Sequence, residues 1–274
     1  MIDTLEDFIF LNDELLTKDY IGVDTEFRRT TKFNMRLALL QINDGEEIYL
    51  VDATAFDATF ESSSFLDAPS VVKIFHSCKE DIEAVYTWTN RKMNNIFDTQ
   101  LANAFLNGEF SLGYQALVRE KLGIELEKTE TRSNWIRRPL SDSQLKYAAL
   151  DVEYLIYLYE EQKRELMLTN KLDWLCQDID KLKHSVFNSD FDKADYDRSI
   201  SKSRENNLLM RINEAVAYIA ENEKINSTLF FSKKAQKDFL RLALNSGLEE
   251  ASLELSPWRK DLIITEIENI LERY

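Results

Sequence analysis

The sequence has few cysteines, no long apolar run and no signal-peptide pattern, and each absence excludes a class of protein. Only two of its 274 residues are cysteines, Cys78 and Cys176. Two isolated cysteines cannot form a disulfide framework or a cysteine-type zinc site. No stretch approaches the about 18 apolar residues that a membrane helix needs, and the N-terminus has neither a basic nor an apolar targeting region. We therefore expect a cytoplasmic protein with no membrane partner.

Positive charge is also scarce, since the formal net charge is −15. That balance argues against a nucleic-acid binder held by overall charge. One stretch is an exception: Arg28, Arg29, Lys32 and Arg36 fall within nine residues that contain no acid. We predict a basic loop here. Two interpretations remain open, a loop that contacts phosphates and a loop that is simply solvated.

The segment Tyr20–Phe27 predicts a strand near the N-terminus, because apolar and β-branched residues alternate along it. Asp24 and Glu26 would project from the same face of that strand. Two carboxylates on one face repel each other unless a cation such as Mg²⁺ lies between them. The spacing recurs elsewhere in this acidic chain, at Asp44/Glu46 for example. Taken alone, it fits an exposed edge strand with solvated acids better than a metal site.

The following residues predict two more strands, Arg36–Asn43 and Glu47–Asp52, which would form an antiparallel meander with the acidic strand at one side. A further strand, Val71–Phe75, runs into a helix that carries Asp81. Ser77 followed by Glu80 fits a capping box at the start of that helix.

A well-delimited helix follows Pro139. Ser141 and Gln144 form a second capping box, and apolar residues continue at helical spacing as far as Tyr159. Tyr147 and Asp151 are four residues apart and would share one face of this helix. For the isolated pair, an exposed polar edge remains the simpler interpretation.

The C-terminal third changes in character. Residues 177–204 are polar and nearly charge-balanced, and we predict a linker there. Residues 205–274 show helical patterns only, with helices expected over Leu208–Glu221, from Ser232 to about Asn245, and over Leu262–Leu271.

The order of these motifs resembles ribonuclease D, a family of DEDDy-type 3′→5′ exonucleases. The segments that carry the resemblance, which covers about residues 1–176, are Val23-Asp24-Thr-Glu26-Phe27, Phe75-His76-Ser-Cys-Lys-Glu80-Asp81-Ile, Phe97-Asp98-Thr-Gln, Lys128, Ser133-Asn134-Trp135, Arg138-Pro139-Leu140 and Tyr147-Ala-Ala-Leu-Asp151-Val152. Asn134 departs from the family, which usually has Asp there. The segment Leu255–Leu262 resembles the helicase-and-RNase-D C-terminal (HRDC) domain. The chain has room for one such domain, whereas some relatives carry two.

The resemblance implies an RNase H-like α/β fold with a mixed central sheet flanked by helices, followed by a small all-α domain. The expected organisation is an exonuclease domain at 1–176, a linker at 177–204 and an HRDC-like domain at 205–274. It also implies two divalent cations, Mg²⁺ or Mn²⁺, and no small-molecule cofactor. A monomer is expected.

The resemblance also implies a role for each acidic residue. Asp24 would bridge the two cations, Glu26 and Asp151 would complete the tighter site, and Asp81 would hold the second ion. Tyr147 would orient the attacking water through its hydroxyl. It is not expected to act as a phenolate, because an unperturbed tyrosine has a pKa near 10.

RNA, above all tRNA precursors with short 3′ trailers, is the implied substrate, and nucleoside 5′-monophosphates are the implied products. Candidate substrate contacts are Arg28, Arg29, Lys32, His76, Lys128, Trp135 and Arg138. For His76 a structural hydrogen bond is the simpler interpretation, and for Trp135 burial in the core is an equal alternative. A DNA-directed exonuclease acting on single strands and a non-catalytic RNA-binding protein also remain open.

Overall fold

Strand β1 (Tyr20–Thr31) is the central strand of a five-stranded sheet in a computed structural model that describes residues 1–31, 34–127, 130, 133–187 and 201–272. The strand order is β3-β2-β1-β4-β5. The other strands are β2 (Asn34–Asn43), β3 (Ile48–Val51), β4 (Val72–Phe75) and β5 (Ile96–Asp98). The mixed α/β fold predicted from the sequence is confirmed.

The chain divides into two compact units, the first made of residues 1–102 and 112–165 and the second of 103–111 and 166–274. Helices that begin in the first unit are α1 (Leu5–Leu15), a 3₁₀ helix (Glu61–Leu66), α2 (Lys79–Thr89), α3 (Thr99–Phe105), α4 (Tyr114–Leu122), α5 (Asp142–Glu153) and α6 (Leu155–Leu168). Those of the second unit are α7 (Leu172–Phe187), α8 (Lys202–Glu223), α9 (Ser227–Phe231), α10 (Lys233–Ser246), α11 (Leu248–Ser252) and α12 (Pro257–Glu272). No helix in the described part of the chain is both long enough and apolar enough to cross a bilayer.

The acidic strand is not at an edge of the sheet. β1 pairs antiparallel with β2, as the predicted meander requires, and parallel with β4 on its other side. Every β2 residue from Leu37 to Asn43 is buried, as expected for a strand that is covered on both faces. An exposed edge strand with solvated acids is therefore excluded.

The predicted basic loop is wrong, because both strands continue through it. β1 extends to Thr31 and β2 begins at Asn34, so that Arg28 lies directly opposite Arg36 on the neighbouring strand. Most residues of this hairpin are polar, so no apolar alternation marks the two strands in the sequence, which explains why the pattern suggested a loop.

The helix predicted from Ser141 to Tyr159 is two helices. Ser141 and Gln144 form the expected capping box at the start of α5. The helix then breaks at Tyr154, whose φ and ψ are −104° and 2°. The break comes three residues after Asp151, close to the candidate site.

The first part of the predicted linker is a helix. Residues 177–187 belong to α7, and Asp178 within them is buried. Its carboxylate accepts hydrogen bonds from Trp258 Nε1 at 2.9 Å and from both terminal nitrogens of Arg259 at 2.5 and 2.7 Å. Both partners belong to α12, so α7 and α12 are joined within the second unit.

We expect Asp178→Ala to lower the free energy of unfolding of the second unit by about 3–5 kcal/mol, because it would leave the Arg259 guanidinium without its buried counter-charge. Denaturant unfolding of the full chain would measure the loss. Asp180→Ala, which removes an exposed acid from the same helix, is the control and should change stability by less than about 0.5 kcal/mol. Equal effects of the two substitutions would contradict the assignment.

Candidate metal site

Three carboxylates from two elements converge on one point of the first unit. Asp24 and Glu26 project from the same face of β1, and Asp151 comes from α5. One oxygen of each lies within 4.8 Å of an oxygen of the other two. The alternation of the strand brings the first pair together, and the packing of α5 on the sheet supplies the third.

Two residues allow the end of α5 to approach β1 closely. Gly22 has no side chain in the way: a Cβ there would lie 3.2 Å from the Leu155 Cβ and 3.3 Å from the Val152 carbonyl oxygen. Asn43, its partner on β2, donates from Nδ2 to the carbonyl oxygens of Val152 at 3.0 Å and Glu153 at 3.2 Å. The last turn of the helix that carries Asp151 is thereby fixed against the sheet.

Tyr114, a residue that the sequence did not single out, stabilises the helix break. Its hydroxyl accepts a hydrogen bond from the backbone N–H of Tyr154 at 3.0 Å and donates one to the carbonyl oxygen of Leu150 at 3.2 Å. Both backbone groups lie at the C-terminal end of α5, where the helix breaks. Tyr114 therefore fixes the chain on both sides of Asp151.

Asp81 reaches the site from the other side of β1. β4 pairs with β1 only as far as Gly22, and the chain that leaves β4 turns there into α2. The Thr25 hydroxyl donates to Asp81 Oδ1 at 2.5 Å. Asp81 is not one of the three carboxylates within 4.8 Å, but its charge raises the pKa values of Asp24 and Glu26.

The capping box predicted at Ser77 and Glu80 is wrong, and the Asp98 carboxylate binds the backbone N–H groups before α2 instead. Cys78 occupies the N-cap position without a side-chain hydrogen bond, and Ser77 has a left-handed φ of 70°. The Asp98 carboxylate instead accepts from the N–H groups of Ser77 at 3.1 Å and Cys78 at 2.8 Å. It also accepts from the N–H groups of Gln100 and Leu101 in α3, as expected for an N-cap residue.

Burial raises the pKa of all four acids, and repulsion from the other site acids adds to it for Asp24 and Glu26. Burial first, and then the charges of Asp151 and Asp81, raise the pKa of Glu26 to about 8. Burial raises the pKa of Asp81 and the pKa of Asp151 to about 7. Burial, followed by the neighbouring negative charges, raises the pKa of Asp24 well above its usual range.

Tyr147 is buried beside Asp151 and donates its hydroxyl hydrogen bond to that carboxylate. Burial and the charges of Asp151, Glu26 and Asp24 raise the pKa of Tyr147, so the hydroxyl keeps its proton at neutral pH. The Trp135 ring packs against the Tyr147 ring, with 6.0 Å between the centroids. The pair of Tyr147 and Asp151 is therefore not an exposed polar edge.

Three of the predicted substrate contacts are held by the protein itself. Trp135 is only 4% exposed. His76 is hydrogen-bonded to the Thr99 hydroxyl at 2.9 Å and the Leu112 carbonyl oxygen at 3.0 Å. Arg29 forms a bidentate ion pair with Glu83, at 2.9 and 2.8 Å.

Arg138 is a fourth predicted substrate contact that the protein itself holds, and its guanidinium binds at an irregularity in the pairing of β1 with β2. A register shift after Glu26 skips Ala38 on β2, and Arg138 donates to the Ala38 carbonyl oxygen at 2.8 Å. The same guanidinium pairs with both oxygens of Asp52 at 2.5 and 2.6 Å. Arg28 is exposed on β1, whereas Lys32 and Lys128 lie outside the described residues.

The donor set fits a hard divalent cation. Carboxylate oxygens are the ligands that Mg²⁺ and Mn²⁺ prefer, and one oxygen from each of three carboxylates meets here. Repulsion between them falls when a positive ion binds, which also lowers their pKa values.

The first 167 residues of the chain match a known protein family. Residues 1–167 match the family described as 3′-5′ exonuclease. The chain belongs to the 3′-5′ exonuclease family. All four acids and Tyr147 fall within the matched range. Ribonuclease D of Xanthomonas oryzae is 42% identical to this family member over 170 residues, which are 62% of the chain and 47% of the relative. The chain spans about half the length of the curated relatives it matches.

Solved structures show the same fold. Escherichia coli RNase D matches this exonuclease-family chain with a TM-score of 0.66 at 23% identity, over 100% of this chain and 74% of that one. A protein from Bifidobacterium adolescentis matches with a TM-score of 0.78 at 17% identity, over 99% and 96%. The resemblance to ribonuclease D predicted from the sequence motifs is confirmed.

We expect metal-free Asp151→Asn to be more stable than the metal-free wild type at pH 8, by on the order of 2 kcal/mol. The folded pKa of Asp151 is about 7, above the roughly 3.9 of an unfolded aspartate. The folded wild type therefore binds the proton more tightly, and that stability is lost as the pH rises from about 4 through about 7.

Denaturant unfolding in EDTA at pH 8 and pH 5 would measure the difference, which should shrink at the lower pH. Asp142→Asn, an exposed acid at the start of the same helix, is the control. A less stable Asp151→Asn at pH 8 would show that the carboxylate contributes to the metal-free fold.

Proposed function

We propose that this chain is a metal-dependent 3′→5′ exoribonuclease that removes nucleoside 5′-monophosphates from RNA 3′ ends. The observation that carries the proposal is the group of three converging carboxylates, with Asp81 nearby and Tyr147 bonded to Asp151. Both the family match and the 42% identity to a protein named ribonuclease D support it.

Two divalent cations, Mg²⁺ or Mn²⁺, would be held by the four acids, with Asp24 shared between them, Glu26 and Asp151 at one ion and Asp81 at the other. When bound, the cations supply electrostatic stabilisation of the attacking and leaving oxygens of the phosphodiester. The protein's own side chains contribute by holding the cations and by orienting the attacking water.

Tyr147 would orient the attacking water. Its hydroxyl is protonated at neutral pH, since burial and then the neighbouring carboxylates raise its pKa. It can therefore accept a hydrogen bond from the water while it donates one to Asp151, and it does not need to remove a proton. Arg28, exposed on β1, is available to contact the RNA backbone.

We place the protein in the cytoplasm as a monomer, with tRNA precursors as the substrate class and residues 205–274 as one HRDC-like domain. The test uses a 5′-labelled tRNA precursor with a short 3′ extension, incubated in Mg²⁺, in Mn²⁺ and in EDTA. A metal-dependent ladder that shortens from the 3′ end is expected. Bound RNA that is not shortened in either metal would favour the non-catalytic RNA-binding alternative.

A DNA-directed exonuclease is the second candidate, because the matched family is described without reference to RNA or DNA. An RNA strand and a DNA strand of the same sequence would separate the two. The exoribonuclease proposal requires the RNA strand to be shortened faster at equal metal concentration.

A further inference from the structure

Gln41 is a fully buried side chain whose amide has no hydrogen-bond partner among the described residues. It lies on β2 with 0% of its surface exposed. Neither Oε1 nor Nε2 makes a hydrogen bond to the described part of the chain. Buried amides are nearly always hydrogen-bonded, because an unpaired one loses water without replacement. A glutamine at this buried position is unfavourable for folding unless its amide forms a hydrogen bond with a group that the fold brings close to it.

The sheet register places Gln41 at the site. It lies directly opposite Asp24 on β1 and opposite Leu50 on β3. Residues that are paired across strands project from the same face, with their Cβ atoms about 4.5–5.5 Å apart. Leu50 packs against the apolar cluster that contains Tyr147. The Gln41 side chain therefore lies beneath α5, next to Asp24.

We propose that Gln41 is a positioning residue of the metal site, whose Nε2 donates a hydrogen bond to the Asp24 carboxylate when a divalent cation is bound. The inference rests on the proposed function, since it assumes that the carboxylates hold a cation. Asp24 is the residue to be held, because it is the acid assigned to both ions.

A neutral amide suits this position chemically. Carboxylates that bind metals are commonly oriented by a second hydrogen-bond donor, whose loss weakens metal binding about 10–100-fold. A lysine or arginine next to Asp24 would add a positive charge that competes with the cation. An apolar side chain would leave the carboxylate free to turn. Glutamine supplies a donor without a charge.

Gln162 provides the contrast within the same unit. It is also 0% exposed, on α6, and its Oε1 likewise has no partner among the described residues, but its Nε2 donates to the Thr99 carbonyl oxygen at 3.0 Å. That amide joins α6 to the Thr99 backbone of α3. Gln162 is not paired across strands with a carboxylate of the metal site. Gln162 therefore represents an ordinary structural role for a buried glutamine.

The test compares Gln41→Met with Gln162→Met, since methionine is nearly the same size as glutamine and has no amide. Calorimetric titration of the full-length chain with Mn²⁺ gives the metal affinity, and thermal unfolding in EDTA gives the metal-free midpoint. For Gln41→Met we expect about 10–100-fold weaker Mn²⁺ binding and an unchanged or higher midpoint, because an unpaired buried group is removed. For Gln162→Met we expect a lower midpoint and unchanged affinity.

The Mn²⁺ affinity of the Gln41→Met chain decides whether the inference stands. Wild-type affinity in a folded Gln41→Met chain would overturn the inference, as would a lower midpoint with no change in Mn²⁺ binding. If Gln41→Met does not fold, Gln41→Leu, whose side chain is shorter and branched, replaces it under the same criteria. A wild-type chain that binds no Mn²⁺ would instead overturn the proposed function, so the two failures are distinguishable.

Discussion

Asp24→Asn is expected to keep the fold and to lose at least about 10³-fold in the rate of RNA hydrolysis. Asp24 lies in the centre of the sheet, and the charges of Asp81, Asp151 and Glu26 all act on it. Asparagine has the same shape, but a neutral amide is a much poorer ligand for a hard cation. Metal catalysis contributes several kcal/mol of transition-state stabilisation, and each 1.36 kcal/mol corresponds to a factor of ten in rate.

Single-turnover hydrolysis of a 5′-labelled RNA in Mg²⁺ would measure that loss, and circular dichroism would report the fold. Asp57→Asn is a suitable control, because Asp57 is exposed and the change in charge is the same. Near-native hydrolysis by folded Asp24→Asn would refute the assignment of the site. Asp151→Ala should give a loss of the same order.

Tyr147→Phe is expected to lower kcat by about 10²-fold while RNA affinity changes by less than about twofold. The phenylalanine ring can keep the packing against Trp135, so only the hydroxyl is lost. If that hydroxyl orients the attacking water, its removal affects the reaction and leaves the binding of RNA nearly unchanged.

Affinity can be measured on an RNA whose terminal linkage resists hydrolysis, and kcat on the matching natural strand. Tyr157→Phe, which removes a hydroxyl from a side chain that is 61% exposed, provides the control. Equal losses of kcat and affinity in Tyr147→Phe would mean that the residue binds RNA and does not orient water.

Local periodicity predicted the features that depend on neighbouring residues. Strand alternation correctly put Asp24 and Glu26 on one face, and helical spacing put Tyr147 and Asp151 on another. The convergence of these two faces is a property of the topology, and only the resemblance to a family suggested it. The central position of β1 depends on its pairing with β4, about fifty residues later in the chain, which no local pattern contains.

The residues missed in the sequence act through distant partners. Tyr114 bonds to Tyr154, forty residues away, and the helix break that it stabilises contains neither proline nor glycine to announce it. Asp98 caps its own helix, but its bonds to Ser77 and Cys78 span about twenty residues. In the sequence, Gln41 is a single polar residue within an apolar strand. Only the strand register shows that it is paired with Asp24.

The four backbone amides held by the single Asp98 carboxylate have a consequence for motion. The amides of Ser77, Cys78, Gln100 and Leu101 belong to the starts of two different helices. A fluctuation that releases the carboxylate frees all four together, so their deuterium exchange should follow one common opening event. The turn before Asp81 would then open and close together with the first turn of α3 and not as an independent loop.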